Sequence, residues 1–306
     1  MNHPSRRQFL QTSAVLLGAA ITGSSFNTKK GQPLLSFSTL GCPDWDFQKI
    51  TTFAEANNYD GIELRGIQRQ LDLPKSSVFN TADARATTIR LMEEKRLKFV
   101  GLGSSSTLHF AEGAERQKNL DEGRRFIDLA QQINCPYVRV FPNNFPKDQD
   151  KNITMDLIVK GLLDLAEHAK GSKVTVLMET HSDLVKSEDL EKIMSAAAHK
   201  NTGLIWDVSN MWTITKEPPL EVYERLKKYI RHTHVKDAKK VDGKFQYTLL
   251  GQGEVPIFAA IDALVKDGYK GYYSFEWEKL WHPEIAEPEI ALAHYPKVMK
   301  QYFDKK

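Results

Sequence analysis

A regular alternation of two kinds of segment constrains the fold of this 306-residue chain more than any other feature. Short apolar runs are typical of buried strands, and the longer amphipathic stretches between them are typical of helices. Strands that alternate with helices form βαβ units, in which the strands lie parallel. The predicted strands are 34–38, 61–65, 97–103, 137–142, 174–179, 203–207, 229–235 and 271–278, and the predicted helices are 47–57, 82–95, 115–134, 153–170, 187–199, 220–228, 256–266 and 287–303.

The number of these pairs selects between two parallel α/β folds. Eight strand–helix pairs in about 270 residues match the count of a (β/α)8 barrel. A doubly wound open sheet would usually begin with a GxGxxG loop, whereas the first strand here is followed by STLGCPDWD. We therefore predict an α/β protein with a single (β/α)8 TIM barrel over residues 31–306. The polar stretch KDAKKVDGKFQ (236–246) is predicted to be a surface loop.

The first 30 residues have the pattern of an export signal. Arg6 and Arg7 precede an apolar run over 14–21, which is too short to span a bilayer. Bacterial twin-arginine signals have this pattern, and they direct the export of proteins that are already folded. We predict that residues 1–30 are a twin-arginine signal peptide with a short linker. The mature protein is then expected to be periplasmic or secreted, with no membrane attachment after cleavage.

Charge and cysteine content exclude several classes of function. The chain has 42 Lys and Arg against 39 Asp and Glu, and two of the cations, Arg6 and Arg7, lie in the predicted signal. A nearly neutral body has no electrostatic reason to bind nucleic acid. The two cysteines, Cys42 and Cys135, are far apart, so they form neither a disulfide framework nor a CxxC metal motif.

Polar residues gather at the carboxyl ends of the predicted strands. Glu179 and Asp207 end the fifth and sixth strands, and Glu276 lies in the eighth. In the seventh, His232 and His234 share one face because side chains alternate along a strand. A single carboxylate at such a position usually caps a helix or pairs with lysine. In a barrel, however, these strand ends meet at one face, where active sites lie.

Three carboxylates and one imidazole at this face predict a metal site. Such a mostly oxygen donor set favours Mn²⁺, Mg²⁺ or Co²⁺, and it is also compatible with Zn²⁺. One histidine of the pair is expected to bind the metal and the other to line the pocket. Lys236 and Asp237 follow at the predicted rim, where they could pair with each other or contact substrate.

Several motifs together resemble one known family. They are STLGCPDW, YDGIELRG, LMETHSD, IWDVSNMW, HTHVKD, GQGEVP and YYSFEWE. As a set they resemble the xylose isomerase-like barrel superfamily, in the branch of sugar phosphate isomerases and epimerases. The similarity covers nearly everything after residue 33.

The resemblance implies roles for particular residues. It assigns a divalent metal to Glu179, Asp207, His234 and Glu276, and it implies that the two glutamates also move the substrate proton. Two departures leave the sugar open. Asn210 stands where many members have a substrate-contacting histidine, and Lys240 stands where known ketose epimerases often have an arginine.

These expectations favour a metal-dependent sugar isomerase or epimerase that works through an enediolate on a keto- or aldo-sugar. A dehydratase or lyase acting on an oxidised sugar or glycoside could use the same site. An abasic-site endonuclease is disfavoured by the neutral charge and by only nine histidines. A sugar-binding protein without chemistry is disfavoured because binding alone needs no opposed acid and base.

The expected partner is a small-molecule carbohydrate, either free, oxidised or glycosidic, and a homo-oligomer is compatible with the sequence. Tryptophans near strand ends suit this partner because an apolar ring face stacks on the C–H face of a sugar. The residues predicted to bind substrate are Glu63, His109, His181, Asn210, Trp212, His232, Lys236 and Trp281.

Overall fold

Eight parallel strands close into a barrel, which confirms the predicted fold. The computed structural model describes residues 32–305, so the predicted signal peptide lies outside the described residues. Around the barrel the strands follow the order β1, β10, β7, β6, β5, β4, β3, β2. The barrel strands are β1 (Leu34–Ser38), β2 (Gly61–Leu64), β3 (Lys98–Thr107), β4 (Tyr137–Phe141), β5 (Thr175–Glu179), β6 (Thr202–Asp207), β7 (Ile230–Val235) and β10 (Tyr272–Phe275).

Helices surround the barrel and bury their apolar faces against it. Several begin where a polar side chain accepts a backbone N–H of the first turn, as Asp46 does from Lys49 and Thr81 from Ala84. No helix within 32–305 is long and apolar enough to cross a membrane. The helices are α1 (Phe47–Ala56), α2 (Ala82–Glu94), α3 (Ala114–Gln132), α4 (Lys151–His168), α5 (Ser187–Ala196), α6 (Val208–Thr215), α7 (Pro219–Leu226), α8 (Ile257–Lys266) and α9 (Pro288–Phe303).

The predicted surface loop at 236–246 is wrong, because this segment forms most of a β-hairpin. β8 (Asp237–Val241) pairs antiparallel with β9 (Lys244–Thr248). Asp242 and Gly243 form the turn with φ values of 48° and 83°. An Asp-Gly pair with positive φ at both positions is typical of a two-residue hairpin turn whose twist matches that of its strands.

One glycine of β3 makes room for a polar side chain inside the barrel. A Cβ at Gly103 would lie 2.8 Å from the Cδ of Arg65, whereas a Cβ at Gly101 would make an ordinary contact of 3.7 Å with the Cγ of Glu63. Arg65, just after β2, therefore occupies space that a side chain at Gly103 would need, and Glu63 of β2 lies beside Gly101. The interior near the carboxyl ends of the strands is consequently polar on this side.

Candidate metal centre

Four side chains from four adjacent strands converge at the carboxyl end of the barrel. Glu179 ends β5, Asp207 ends β6, His234 lies in β7 and Glu276 directly follows β10. Each offers one ligand atom, and these atoms all lie within 4.8 Å of one another. All four side chains are buried. The structure thus brings together the complete predicted set of metal ligands.

His234 presents one ring nitrogen to this cluster. Its Nε2 lies 2.9 Å from Glu63 Oε1, whereas its Nδ1 lies 3.4 Å from both Glu179 Oε1 and Glu276 Oε2. This Nδ1 is buried and has no hydrogen-bond partner among the described residues. Burial lowers the pKa of His234, but the charges of Glu276, Glu63 and Glu179 together raise it well above its usual value. A buried, unpartnered nitrogen that faces carboxylates fits a metal ligand.

Asp207 divides its carboxylate between two tasks. Oδ1 accepts the backbone N–H of Asn210 at 2.8 Å and so caps α6. Oδ2 faces the cluster, 3.7 Å from His234 Nδ1 and 2.9 Å from Lys236 Nζ. Asp207 therefore caps the helix through Oδ1 and still has Oδ2 oriented toward the other proposed ligands. The cap also fixes the orientation of that oxygen.

Glu63 and His232 lie beneath the cluster and support it. Glu63 Oε2 accepts from Ser274 Oγ at 2.9 Å and lies 2.9 Å from His232 Nε2, while Oε1 is the partner of His234. Burial raises the pKa of Glu63, but His234 and His232 outweigh it and hold the pKa well below its usual value. Both residues were predicted to bind substrate. In the structure Glu63 contacts His232 and His234, so both residues help to hold His234 in place, and substrate contact stays a prediction.

Arg139 is a member of the site that the sequence reasoning missed. From β4, its Nη1 lies 2.8 Å from Glu179 Oε2 and 3.8 Å from Glu276 Oε1, and its Nη2 donates to the Ser104 carbonyl. The guanidinium carbon also lies 4.0 Å from the centre of the Phe141 ring. A single arginine between two valines in the run YVRVFP was the available signal, since an apolar strand rarely buries a charge without a partner.

Lys236 is fully buried, so its expected position at the rim is wrong, as is the alternative in which it pairs with Asp237; contact with substrate stays a prediction. Its Nζ lies 2.9 Å from Asp207 Oδ2 and 2.7 Å from Glu276 Oε2, and it also contacts Glu278. Burial lowers the pKa of Lys236, but Asp207, Glu276 and Glu278 raise it well above its usual value. The Lys236 ammonium is therefore a buried counterion of the carboxylate cluster.

Asp237 points away from the cluster and organises the loop that follows the hairpin. Its Oδ2 accepts the backbone N–H groups of Gly251 and Gly253, each at 2.9 Å. A Cβ at Gly253 would lie 2.0 Å from Asp237 Oδ1, so only glycine can approach this closely. The GQGEVP motif thus serves a tight turn around Asp237.

The remaining predicted substrate residues differ in their contacts. Asn210 Nδ2 lies 3.5 Å from Glu179 Oε1, and the His181 ring packs against Phe141, whose ring also contacts the Arg139 guanidinium. His109 is buried and packs against Phe110, whereas Trp281 is 51% exposed. Asn210 thus lies beside one of the proposed metal ligands, and substrate contact by all four residues stays a prediction.

Trp212 connects the hairpin to the end of α6. Its ring lies edge-on to Phe245 of β9 at 5.9 Å, and Lys216 Nζ lies 3.6 Å from the ring centre. From the same strand, the Tyr247 hydroxyl donates to Glu278 at 2.8 Å. The hairpin therefore packs on the side of the barrel that holds Lys236.

Comparison with solved structures shows the same fold in proteins of low sequence identity. The IOLI protein with a bound zinc atom has a TM-score of 0.73 at 18% identity, over 89% of this chain and 98% of that one. The D-psicose 3-epimerase of Clostridium cellulolyticum H10, solved with D-tagatose, has a TM-score of 0.69 at 14% identity, over 88% and 98%. The probable 3-DHS dehydratase AsbF of Bacillus anthracis has a TM-score of 0.69 at 18% identity, over 87% and 98%.

Sequence comparison identifies the family directly. No protein of curated function matches the chain. The profile of the xylose isomerase-like TIM barrel family, in contrast, matches residues 52–299, which include the four clustered side chains and Arg139. The chain therefore belongs to the xylose isomerase-like TIM barrel family.

Proposed function

We propose that the protein is a divalent-metal-dependent sugar isomerase or epimerase. The observation that carries this proposal is the cluster of Glu179, Asp207, His234 and Glu276, in which a carboxylate oxygen of each glutamate lies 3.4 Å from His234 Nδ1. Binding of a sugar without chemistry would not need two buried carboxylates arranged in this way.

The four clustered side chains would hold the metal. When bound, the ion supplies Lewis-acid polarisation of a carbonyl oxygen and the neighbouring hydroxyl, which makes the adjacent carbon-bound hydrogen more acidic. Three carboxylates with one imidazole favour Mn²⁺, Mg²⁺ or Co²⁺. Zn²⁺ remains compatible, since the zinc-bound IOLI protein has the same fold.

Glu179 and Glu276 would move the proton. Nearby cations lower the pKa of each and so favour its ionised form, which is the form that can accept a proton. Burial and the charge of Glu276 raise the pKa of Glu179, but Arg139 and His234 lower it below its usual value. Burial raises the pKa of Glu276 as well, whereas His234 and Lys236 hold it well below the usual range.

The position to which the proton returns decides the product. If one glutamate removes the hydrogen beside the carbonyl and the other returns a proton to the opposite face, the product is an epimer. Return to the neighbouring carbon gives an isomer. Both outcomes use the same two carboxylates and the same enediolate.

Elimination is the second candidate. Loss of a hydroxyl from the carbon beyond the same enediolate would give an unsaturated product, and the leaving hydroxyl would take up the proton that Glu179 or Glu276 has removed. The shared fold of the probable dehydratase AsbF agrees with this alternative.

The decisive experiment follows carbon-bound deuterium. The protein with added Mn²⁺ is incubated in D₂O with a panel of keto-sugars, and NMR locates any exchanged position. Isomerase or epimerase activity incorporates deuterium into an intact sugar, whereas elimination yields a product that has lost water or an alcohol.

Glu179→Gln and Glu276→Gln test the assigned roles. The amide oxygen can still coordinate a metal but cannot accept a proton, so each variant should turn over at least about a hundredfold more slowly. Metal content, measured by elemental analysis, should remain detectable in both. Turnover like that of the wild type in both variants would refute the proton-transfer roles of these two glutamates and assign the chemistry to other residues.

A further inference from the structure

Two buried arginines line the wall of the barrel mouth that faces Lys236. Arg65 follows β2 and Arg139 lies in β4, so both flank β3, which is four strands from β7 around the barrel. A Cβ at Gly103 of β3 would lie 2.8 Å from Arg65 Cδ and 3.2 Å from Arg139 Nη2. The missing side chain at Gly103 thus lets two guanidinium groups approach each other.

The two arginines differ in their partners. Arg139 is paired with Glu179 at 2.8 Å. Arg65 donates only to neutral oxygens, the Ser105 hydroxyl at 2.9 Å and the Gly103 carbonyl at 3.4 Å. None of the ion pairs within residues 32–305 includes Arg65, although the residue is only 6% exposed.

A buried guanidinium that makes no direct ion pair is energetically unfavourable. Burial, together with the charge of Arg139, lowers the pKa of Arg65 to about 9, and the charges of Glu122, Glu276 and Glu179 offset this lowering only in part. Buried charges are normally paired, so this arrangement leaves room for an anion from outside the chain. Ser105, the partner of Arg65, is exposed, which connects this wall to solvent at the barrel mouth.

We infer that Arg65, supported by Arg139 and Ser105, binds a carboxylate of the substrate, so that the protein acts on keto-sugar acids and not on neutral sugars. This inference rests on the proposed function and deepens it. The acid group of the sugar would lie against β3, while its reacting carbons lie between Glu179 and Glu276.

A carboxylate fits this wall better than a phosphate ester does. The planar fork of one guanidinium matches the two oxygens of a carboxylate. One carboxylate also balances the single charge of Arg65, since Arg139 already has Glu179 as its counterion. A phosphate dianion would bring more charge than one unpaired guanidinium and one hydroxyl neutralise.

Binding of matched sugars tests the inference without any need for turnover. Isothermal titration of the Mn²⁺-loaded protein would compare D-glucuronate with D-glucuronamide, D-glucose and D-glucose 6-phosphate, and D-galacturonate with D-galactose. A charge-assisted pair of hydrogen bonds predicts that at least one uronate binds about ten- to a hundredfold more tightly than its neutral counterpart.

Variants of Arg65 assign the preference to this wall. Arg65→Gln should abolish the preference for the acid, because the affinity for the acid falls to that for its neutral counterpart in the same variant. Arg65→Lys keeps the charge without the fork and should retain part of the preference. Arg225→Gln is the matched control, because Arg225 pairs with Glu191 on the outer helices and is largely exposed. Thermal unfolding verifies that each variant is folded.

Several results would overturn the inference. They are equal affinity for acid and neutral sugars, failure of both uronates to bind, a preference that survives in Arg65→Gln, or tighter binding of the phosphate than of the carboxylate. Exchange of neutral keto-sugars at the same rate as their acids would also overturn it and leave the proposed function intact. Conversely, an intact acid preference without any carbon-bound exchange would refute the proposed function alone.

Discussion

Replacing Lys236 by methionine should lower the stability of the metal-free protein and raise its affinity for metal. The ammonium lies 2.9 Å from Asp207 and 2.7 Å from Glu276, two of the four proposed ligands. Methionine has a similar length and no charge, so the substitution removes the cation with little change in volume. The negative charges of Asp207 and Glu276 then repel each other without a lysine cation to compensate them.

The magnitude follows from burial. At an effective dielectric constant of about 20, each of these contacts corresponds to about 6 kcal/mol of Coulomb attraction, but desolvation offsets most of it. Removal of one partner from a buried ion pair costs about 3–5 kcal/mol of unfolding free energy. For a domain of about 270 residues that loss lowers Tm by about 5–9 °C.

Divalent metal should reverse the effect. In the wild type, the ion must displace the Lys236 ammonium from Asp207 and Glu276, whereas in the variant those oxygens are free. We expect Mn²⁺ to bind Lys236→Met at least about tenfold more tightly, since one displaced contact of about 1.4 kcal/mol already gives that factor. The gain in Tm on adding Mn²⁺ should therefore exceed that of the wild type.

The assay is thermal unfolding followed by circular dichroism, first with EDTA and then with Mn²⁺. Lys49→Met is the matched control, because Lys49 and Glu289 form an ion pair of similar length, 2.8 Å, that is half exposed. Such surface pairs contribute only about 0–1 kcal/mol. If Lys236→Met in EDTA unfolds within about 2 °C of the wild type, or if Mn²⁺ stabilises both proteins equally, the reasoning is refuted.

The other predictions concern the histidines. His234→Ala should lose metal affinity, whereas His232→Ala should keep most of it, and calorimetry with Mn²⁺ distinguishes them; equal losses would show that the ligand is misassigned. Because the surrounding carboxylates raise the pKa of His234 well above its usual value, the metal-free protein carries a proton there at pH 7. Metal uptake should release that proton, so affinity rises with pH, and titration in buffers of different ionisation enthalpy measures the release; no release would contradict a ligand role for this nitrogen.

The barrel and its metal ligands could be predicted because they depend on local patterns. Apolar runs mark the strands, and polar residues at strand ends mark the open face of a parallel barrel. Asp207 and Glu179 end their strands in the structure as the sequence predicts. The helix α6 escaped prediction since VSNMWTIT has poor helix formers and begins directly at the Asp207 cap.

Residues whose environment comes from distant parts of the chain could not be predicted. The position of Arg139 between two valines signals a buried charge, but its partner could not be predicted, because Glu179 lies 40 residues away. Lys236 looks like a rim residue, because the carboxylates that stabilise its buried charge come from β6 and from the segment after β10. The hairpin was missed for another reason. Its lysines make the segment too polar to be recognised as strands, although Asp242-Gly243 is itself a strong turn signal.

The support of the four ligands divides them into two pairs. Asp207 and His234 are each held through the atom that faces away from the cluster. Asp207 Oδ1 accepts a backbone N–H of α6, and His234 Nε2 pairs with Glu63. TIM barrels usually fill this interior layer with branched aliphatic residues, so the buried network around Glu63 replaces ordinary packing with orientation of a ligand.

Glu179 and Glu276 form the other pair, and neither has a backbone cap among the described residues; their partners are the side-chain cations Arg139 and Lys236, although Lys236 also contacts the cluster-facing oxygen of Asp207. Long flexible side chains can follow a carboxylate that shifts, whereas a helix cap cannot. A ligand that only binds metal gains from being fixed, but one that also takes and returns a proton must approach carbon in one step and withdraw in another. The division between fixed and compliant support therefore matches the proposed division of labour, in which Asp207 and His234 position the metal while Glu179 and Glu276 carry out the proton transfer.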